Sequence, residues 1–470
     1  MFTDLKPYPE YRDSGQPWFG PIPSSWQARG ARTLFTEVTN AGHDDEDMLS
    51  VTIGRGIIRQ SELISDTSKK DSSNLDKSRY KLVEPGDIAY NKMRAWQGAV
   101  GLSQHKGIVS PAYIVMRPRA GSGIYFHHLL RTPGFAKEAE RWSYGITSDQ
   151  WSLRSEHFKM IYLPFPPEGE QAAIVKYLGH ANARIDRAIA AKRKLIALLE
   201  EQKRAIIGQA VTRGLDSTVP LKDSGIPWFG QIPAHWQVRK LRSLFRRQGS
   251  GTTPPDEGDY GGGVPWVMSG DLNDTNILTT KRTITSEALR RVSSLNLYPL
   301  GSLVVAMYGA TIGKTGMMET AAATNQACCV FYEPSADVDA RFAQFAVRTG
   351  KPGLLVAAFG GGQPNVNAEV VKQLRLPVPP LDEQILITTH LDRSGEQFTV
   401  GTDRLLRQIE LLREFRTRLT ADVVTGQLDI RDAAALLPEL DPADLVSDVI
   451  EQDEDDLEAE LAASLEEVDA

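Results

Sequence analysis

The feature that most constrains this chain is that its frame is written twice. Residues 13–35 read DSGQPWFGPIPSSWQARGARTLF and residues 223–245 read DSGIPWFGQIPAHWQVRKLRSLF, with 15 of 23 positions identical at an offset of 210. Trp18, Trp26, Arg29 and Arg32 recur as Trp228, Trp236, Arg239 and Arg242. A second pair lies at an offset of 213: LPFPPEGEQAAIVKYL (163–178) and LPVPPLDEQILITTHL (376–391). Farther on, LIALLEEQKRAIIGQAVTRGLD (195–216) answers QIELLREFRTRLTADVVTGQLD (408–429). A repeat of this kind implies two equivalent structural units. The blocks between the motifs, 36–162 and 246–375, are similar in length but share little sequence. Constant frames around divergent inserts suggest two equivalent scaffolds holding two different recognition surfaces.

Each Pro-Pro segment opens onto a long helical pattern. Prolines are absent from Glu168 to Val219. Ile174, Leu178, Ala181, Ile185, Ala188, Lys192, Leu195, Leu199, Gln202 and Ile206 follow alternating steps of four and three, a heptad seam with two polar breaks. In the second copy Ile387, Leu391, Phe398, Leu405, Leu412, Phe415 and Leu419 lie on the corresponding seam. A helix of about 40 residues is roughly 60 Å long and cannot bury such a seam alone. The economical arrangement packs the two antiparallel as a coiled coil, a rod between two globular blocks. The alternative is that each helix docks on its own block.

Both inserts are rich in Gly, aromatic and β-branched residues. YKLVEPGDIAYNKM (80–93) and YPLGSLVVAMYG (298–309) have the pattern of a turn followed by a strand. Several loops combine basic, amide, hydroxyl and aromatic side chains. In the first insert these are Lys92, Arg94, Trp96 and Gln97, then Tyr144, Thr147, Ser148 and Gln150. In the second they are Tyr308, Thr311, Lys314 and Thr315, then Gln363 and Asn365. Arg and Lys side chains can reach guanine O6 and N7 or phosphates, and Asn and Gln can pair with adenine N6 and N7. For any one of these residues an ordinary solvated loop side chain is the competing reading; the clusters carry more weight than their members.

Charge and composition narrow the function classes. The chain carries a net −7, but residues 439–470 hold 14 acidic and no basic side chains, which leaves residues 1–438 at +7. A mildly basic body is compatible with nucleic acid, and the acidic stretch has the composition of a disordered tail. The two cysteines, Cys328 and Cys329, are neighbours with no distant partner, so neither a disulfide framework nor a Cys-based zinc site is expected. No run of 18 apolar residues and no apolar leader is found, and a cytoplasmic location is expected. GATIGKT (309–315) imitates a phosphate-binding loop but has three residues between its glycines where that loop needs four. No motif for methyl transfer, ATP hydrolysis or phosphodiester cleavage is found, so no catalytic residue, metal site or cofactor is expected in this chain.

Taken together, these motifs resemble the specificity subunits of type I restriction-modification systems over roughly residues 10–430. The doubled DSGxPWFGxIPxxW, PGDIAYNKMRAWQGAVG with GIVSPAY, and GTTPPDEGDYGGGVPWVMSGDL followed by GATIGKTG, NQACC and GGGQPNVN carry the resemblance. LPFPPEGEQ and LPVPPLDEQ resemble the family's lead into its conserved helices. The implied fold class is α+β: two mixed, sheet-rich target-recognition domains separated by two long antiparallel coiled-coil helices, a pseudo-two-fold internal repeat. The expected boundaries are 1–162 for the lead-in and first recognition domain, 163–219 for the central helix, 220–375 for the second recognition domain, 376–430 for the distal helix, and 431–470 for the tail.

The resemblance also implies a non-catalytic DNA-binding subunit of a defence system, in which each recognition domain reads half of a split target in double-stranded DNA. Two methyltransferase subunits would bind S-adenosylmethionine and methylate adenine. Motor-nuclease subunits would cleave unmodified DNA with ATP and Mg²⁺. No membrane partner is expected. The alternative left open is a protein-interaction scaffold that does not bind DNA. If the helices act as a ruler, adding or deleting helical residues between 185 and 205 changes the spacer of the methylated motif and leaves both half-sites intact. A changed half-site with a constant spacer, read by methylome sequencing, would count against the ruler.

Overall fold

In a computed structural model of the chain, residues 5–65, 77–145, 151–358 and 365–440 are described. The chain divides into two units, residues 1–193 with 406–470, and residues 194–405.

The first unit is built on a four-stranded antiparallel sheet in the order Phe35–Val38, Tyr113–Pro118, Ile88–Asn91, Val100–Leu102. The second is built on a five-stranded sheet in the order Phe245–Ser250, Cys328–Pro334, Leu303–Ala306, Thr315–Met318, Thr275–Ile277. Its first four strands pair antiparallel, in the same sequence of positions as in the first unit, and the fifth joins in parallel. The repeat therefore extends into the inserts, where little sequence is shared. Ile88–Asn91 and Leu303–Ala306 are buried at every position, so their sequences carry no alternation by which to recognise them.

The shared frame closes each unit in the same way. Gln27–Gly30 pairs antiparallel with Tyr162–Phe165, and Gln237–Lys240 with Arg375–Val378. Each closing strand runs through a Pro-Pro turn into a long helix, Glu168–Arg213 or Leu381–Val424. Gln171, in the first turn, donates to the Pro166 carbonyl at 2.8 Å and accepts the Ser122 N–H at 2.7 Å. Gln384 donates to the Pro379 carbonyl at 2.8 Å and accepts the Asp339 N–H at 2.9 Å. Both amides are buried. Ser122 and Asp339 are themselves the N-caps of the helices Gly123–Leu130 and Ala340–Thr349. One amide thus ties the start of the long helix to the start of a recognition-domain helix.

The lead-in motifs pack on the far ends of the long helices. In the first unit Tyr8, Phe19, Ile22 and Trp26 share a core with Leu419, Val423 and Val424. In the second, Ile226, Phe229, Ile232 and Trp236 share one with Ile207, Ala210 and Val211. Gly426 and Gly214 end these helices at φ +77° and +72°, a conformation that favours glycine. A Cβ on Gly426 would lie 2.5 Å from Pro23, and one on Gly214 would lie 2.9 Å from Glu383 and 3.2 Å from Trp236.

Within each unit the long helices pair antiparallel. In the first, Asp186 forms an ion pair with Arg416 and Lys192 donates to Gln408 at 2.6 Å. In the second, Leu199 lies against Gly401. Ile174, Leu178, Ile185, Ile387, Leu391 and Leu419 are buried, and Leu199, Ile206, Phe398, Leu405 and Leu412 are half-buried. Two seam residues are corrected. Leu195 is 46% exposed and Ile196 takes the inward place, while Phe415 is 38% exposed and Arg416 is buried instead. The inward positions run 181, 185, 189 and again 199, 203, 207, with successive steps of four. An ordinary helix turns every 3.6 residues, so a strict 3.5 repeat drifts off its face.

The expected tail is corrected at its beginning. Arg431–Ala435 is helical, and Ile430, Ala434 and Leu437 join the core of the first unit. Their spacing is a one-face helical pattern hidden by the acidic composition that follows. Glu439 then pairs with Lys176 at 2.6 Å; residues 441–470 lie outside the described residues.

Replacing Gln171 or Gln384 by Leu leaves a carbonyl and an N–H buried without partners. Each substitution is expected to cost about 2–3 kcal/mol in equilibrium urea unfolding. Unchanged midpoints would show that the amide clamp contributes nothing.

Candidate nucleic-acid interface

In both units the predicted loops leave equivalent strands and are fastened from behind in an equivalent way. The strand Ile88–Asn91 runs into residues 92–98, where the Lys92 carbonyl accepts the Leu153 N–H at 2.8 Å. The strand Leu303–Ala306 runs into residues 307–314, where the Met307 carbonyl accepts the Val366 N–H at 2.9 Å. Leu153 and Val366 are fully buried. Each lies ten residues before its LPxPP motif, the one signal by which sequence reasoning would have found them. The fastening brings together the two loops singled out in each insert.

In the first unit Lys92 and Arg94 are half-buried and Gln97 is exposed. The loop is stiffened by a 3-10 turn, Ala95–Gln97, closed by Gly98 at φ +95°. Trp96 is half-buried. It packs against the core, donates from Nε1 to the Met93 carbonyl at 2.8 Å, and meets Trp151 edge-on at 5.6 Å between ring centroids. Its ring shapes the loop. Tyr144 is 60% exposed, bridges to Ser152, and lies 4.8 Å from the His157 ring. Thr147, Ser148 and Gln150 lie outside the described residues.

In the second unit Tyr308 is 41% exposed and forms an antiparallel bridge with Asn365, which is half-buried. Thr311 is half-buried and its hydroxyl donates to the Tyr308 carbonyl at 2.7 Å. Lys314 is half-buried at the end of the turn, its N–H bonded to the Thr311 carbonyl at 2.8 Å. Thr315 is a correction. It is fully buried, and its N–H and hydroxyl both donate to Asp274 Oδ1 at 2.9 and 3.0 Å. Asp274, held at φ +60°, is an anchor that sequence reasoning did not find. Gln363 lies outside the described residues. The GATIGKT segment forms a 3-10 turn, Gly309–Thr311, and then a strand, so no helix N-terminus faces a would-be phosphate.

Electrostatics around the first surface are local. Glu37 accepts from Lys159 at 2.7 Å and from Ser155 at 2.5 Å. Burial alone would raise its pKa, but these bonds outweigh that and hold it below the usual carboxylate range. Burial lowers the pKa of Lys81, whose ammonium donates to the Pro111 and Tyr113 carbonyls. Arg131 donates to the carbonyls of Ile53, Gly54 and Val100, fastening the hairpin Leu49–Thr52/Gly56–Arg59 to the sheet edge. Cys328 and Cys329 are buried and unbridged, and burial pushes both thiols up, away from nucleophilic chemistry. Among the described residues no group of three or more His, Cys, Asp or Glu is placed to hold a metal ion.

Known proteins share this architecture. Residues 233–411 match the family described as type I restriction modification DNA specificity domain. The putative type I restriction enzyme MjaX specificity subunit of Methanocaldococcus jannaschii is 22% identical, over 88% of this chain and 96% of that protein. The type I restriction enzyme StySPI specificity subunit of Salmonella potsdam is 22% identical, over 90% of this chain and 96% of that protein. A chain solved in work on complex assembly and conformational transition of the type I restriction-modification system superposes with a TM-score of 0.60 at 15% identity, covering 87% of this chain and 99% of that one. In its doubled frame and over most of its length the chain is thus similar to type I restriction-modification specificity subunits, and residues 233–411 match that family's DNA specificity domain.

Proposed function

We propose that this chain reads a two-part target in double-stranded DNA, one part with each recognition surface. The observation that supports it is that one backbone device, a strand-to-turn exit fastened from behind, displays different donors in the two units. The first offers Lys92, Arg94 and Gln97; the second offers Tyr308, Thr311, Lys314 and Asn365. A loop whose backbone is fixed loses little conformational freedom on binding, which favours selective contacts with base edges over diffuse attraction to phosphates. Different donors on equivalent scaffolds suit two unlike half-sites.

In this proposal the chain supplies recognition and its partners supply the chemistry. Two methyltransferase subunits carrying S-adenosylmethionine methylate adenine at the target. Motor-nuclease subunits using ATP and Mg²⁺ restrict DNA that lacks the mark. A cytoplasmic location follows from that role. Among the described residues no helix is long and apolar enough to cross a membrane.

The test is methylome sequencing of a methylation-free host expressing this chain with its neighbouring methyltransferase, with each protein alone as control. A split motif carrying N6-methyladenine, seen only with both proteins, is the expected outcome. Arg94→Ala relaxes one half-site and Lys314→Ala the other, each weakening discrimination by about 1–3 kcal/mol. Thr315→Val, one residue from Lys314, instead lowers thermal stability through the lost bond to Asp274 and leaves the bases read unchanged. No methylation from a stable, folded complex would favour the protein-scaffold reading, and loss of the same half-site by both Ala variants would defeat the two-reader proposal.

A further inference from the structure

The second unit contains a cavity of about 230 Å³ between the recognition-domain helix Ala340–Thr349, residues 274–276 and the two long helices. Its hydrogen-bonding groups are out of balance. Several of the acceptors are already engaged. Asp392 is paired with Arg341. The Asp274 carboxylate takes two bonds from Thr315 and lies 3.8 Å from Arg348 Nε. The Gln344 side-chain carbonyl accepts from Arg341 at 3.2 Å.

What remains are donors. Gln344 is 1% exposed and its Nε2 has no hydrogen-bond partner, an arrangement that costs free energy unless something supplies an acceptor. Lys203, on the first long helix, lines the same cavity and brings an ammonium group to it. Arg348 spends one N–H on the Asp274 carbonyl at 3.2 Å and lies over the Phe345 ring at 5.4 Å; burial lowers its pKa, with Asp274 offsetting the effect only in part.

This excess of donors is not a by-product of the repeated frame. Ser122 and Asp339 are equivalent, since each gives its N–H to the frame glutamine. Counting from them, Arg341 corresponds to Ile124, Gln344 to His127, and Arg348 to Arg131, which is committed to three backbone carbonyls. Only the second copy combines these donors at one place.

A ligand that only accepts hydrogen bonds and carries negative charge fits such a lining. Sites for drug-sized ligands run from about 300 to 1,000 Å³, so this cavity suits something smaller than a nucleotide. We propose that it binds a small oxyanion of the inorganic phosphate class through Gln344, Lys203 and Arg348. The bound anion bridges the helix Ala340–Thr349 to the first long helix inside the second unit.

The experiment is isothermal titration calorimetry of the full chain with inorganic phosphate at constant ionic strength and without DNA, so that its outcome is separate from the proposed DNA reading. Saturable one-site binding is expected, with a phosphate-dependent rise in the thermal unfolding midpoint. Gln344→Leu and Lys203→Met each weaken binding about tenfold, equivalent to about 1.4 kcal/mol. Gln344→Leu removes the unpaired Nε2 at similar volume, and Arg341, which loses one acceptor, keeps its bonds to Asn276 and Asp392; Lys203→Met tests the same site from a different helix. Absence of saturable binding to the parent chain overturns the proposal, and so does binding that both variants retain undiminished.

Discussion

Gln171 and Gln384 each place a side-chain amide, cut off from water, between a Pro-Pro turn and the N-terminus of a recognition-domain helix. A primary amide suits this position because it donates and accepts at once, satisfying a carbonyl that proline leaves exposed and an N–H that a helix start leaves unpaired. Glutamate could not donate to the Pro carbonyl, and an apolar side chain would orphan both groups. Because the same residue also sits in the first turn of a long helix, the direction of that helix and the pose of the recognition domain are set together. The adjacent carboxylates reinforce the joint with different partners: Glu170 accepts from the Tyr8 hydroxyl, and Glu383 from Trp236 Nε1 at 3.0 Å. The frame tolerates an exchange of partner as long as the acceptor is filled.

From this joint the rest of each unit follows by packing. The closing strand pairs with the lead-in strand, and the lead-in tryptophans pack against the last turns of a long helix that comes from the other repeat. Glycines with positive φ at the helix ends let the indole rings approach closely. The recognition loops then inherit their rigidity from the sheet, through a buried apolar residue that donates its backbone N–H to the loop's base. Flexible side chains are thus presented from fixed backbones.

Much of this was legible from residues. Fifteen identities in 23 positions located the repeat, and the absence of proline after 167 located a long helix. Other features were not, for identifiable reasons. The seam slips by one position at Leu195 and Phe415 because an ordinary helix, turning every 3.6 residues, cannot hold a 3.5-residue repeat. Thr315 has the composition of a contact residue, but Asp274, distant in sequence, claims it. The equivalence of the two sheets was invisible because strands buried on both faces need only be apolar, and many unrelated sequences meet that condition.

By itself the sequence determined that the chain is two copies of one frame with unlike inserts, that each copy carries a long helix, and that polar loops lie in the inserts. These properties are local or periodic, and a one-dimensional pattern can record them. The tertiary structure alone decided which loop residues face outward, which helix end receives each lead-in motif, and where the Gln344 Nε2 is left buried without a partner. Those outcomes depend on which groups compete for the same buried acceptor or the same apolar surface, and such competition arises only once residues far apart in the chain have been brought together.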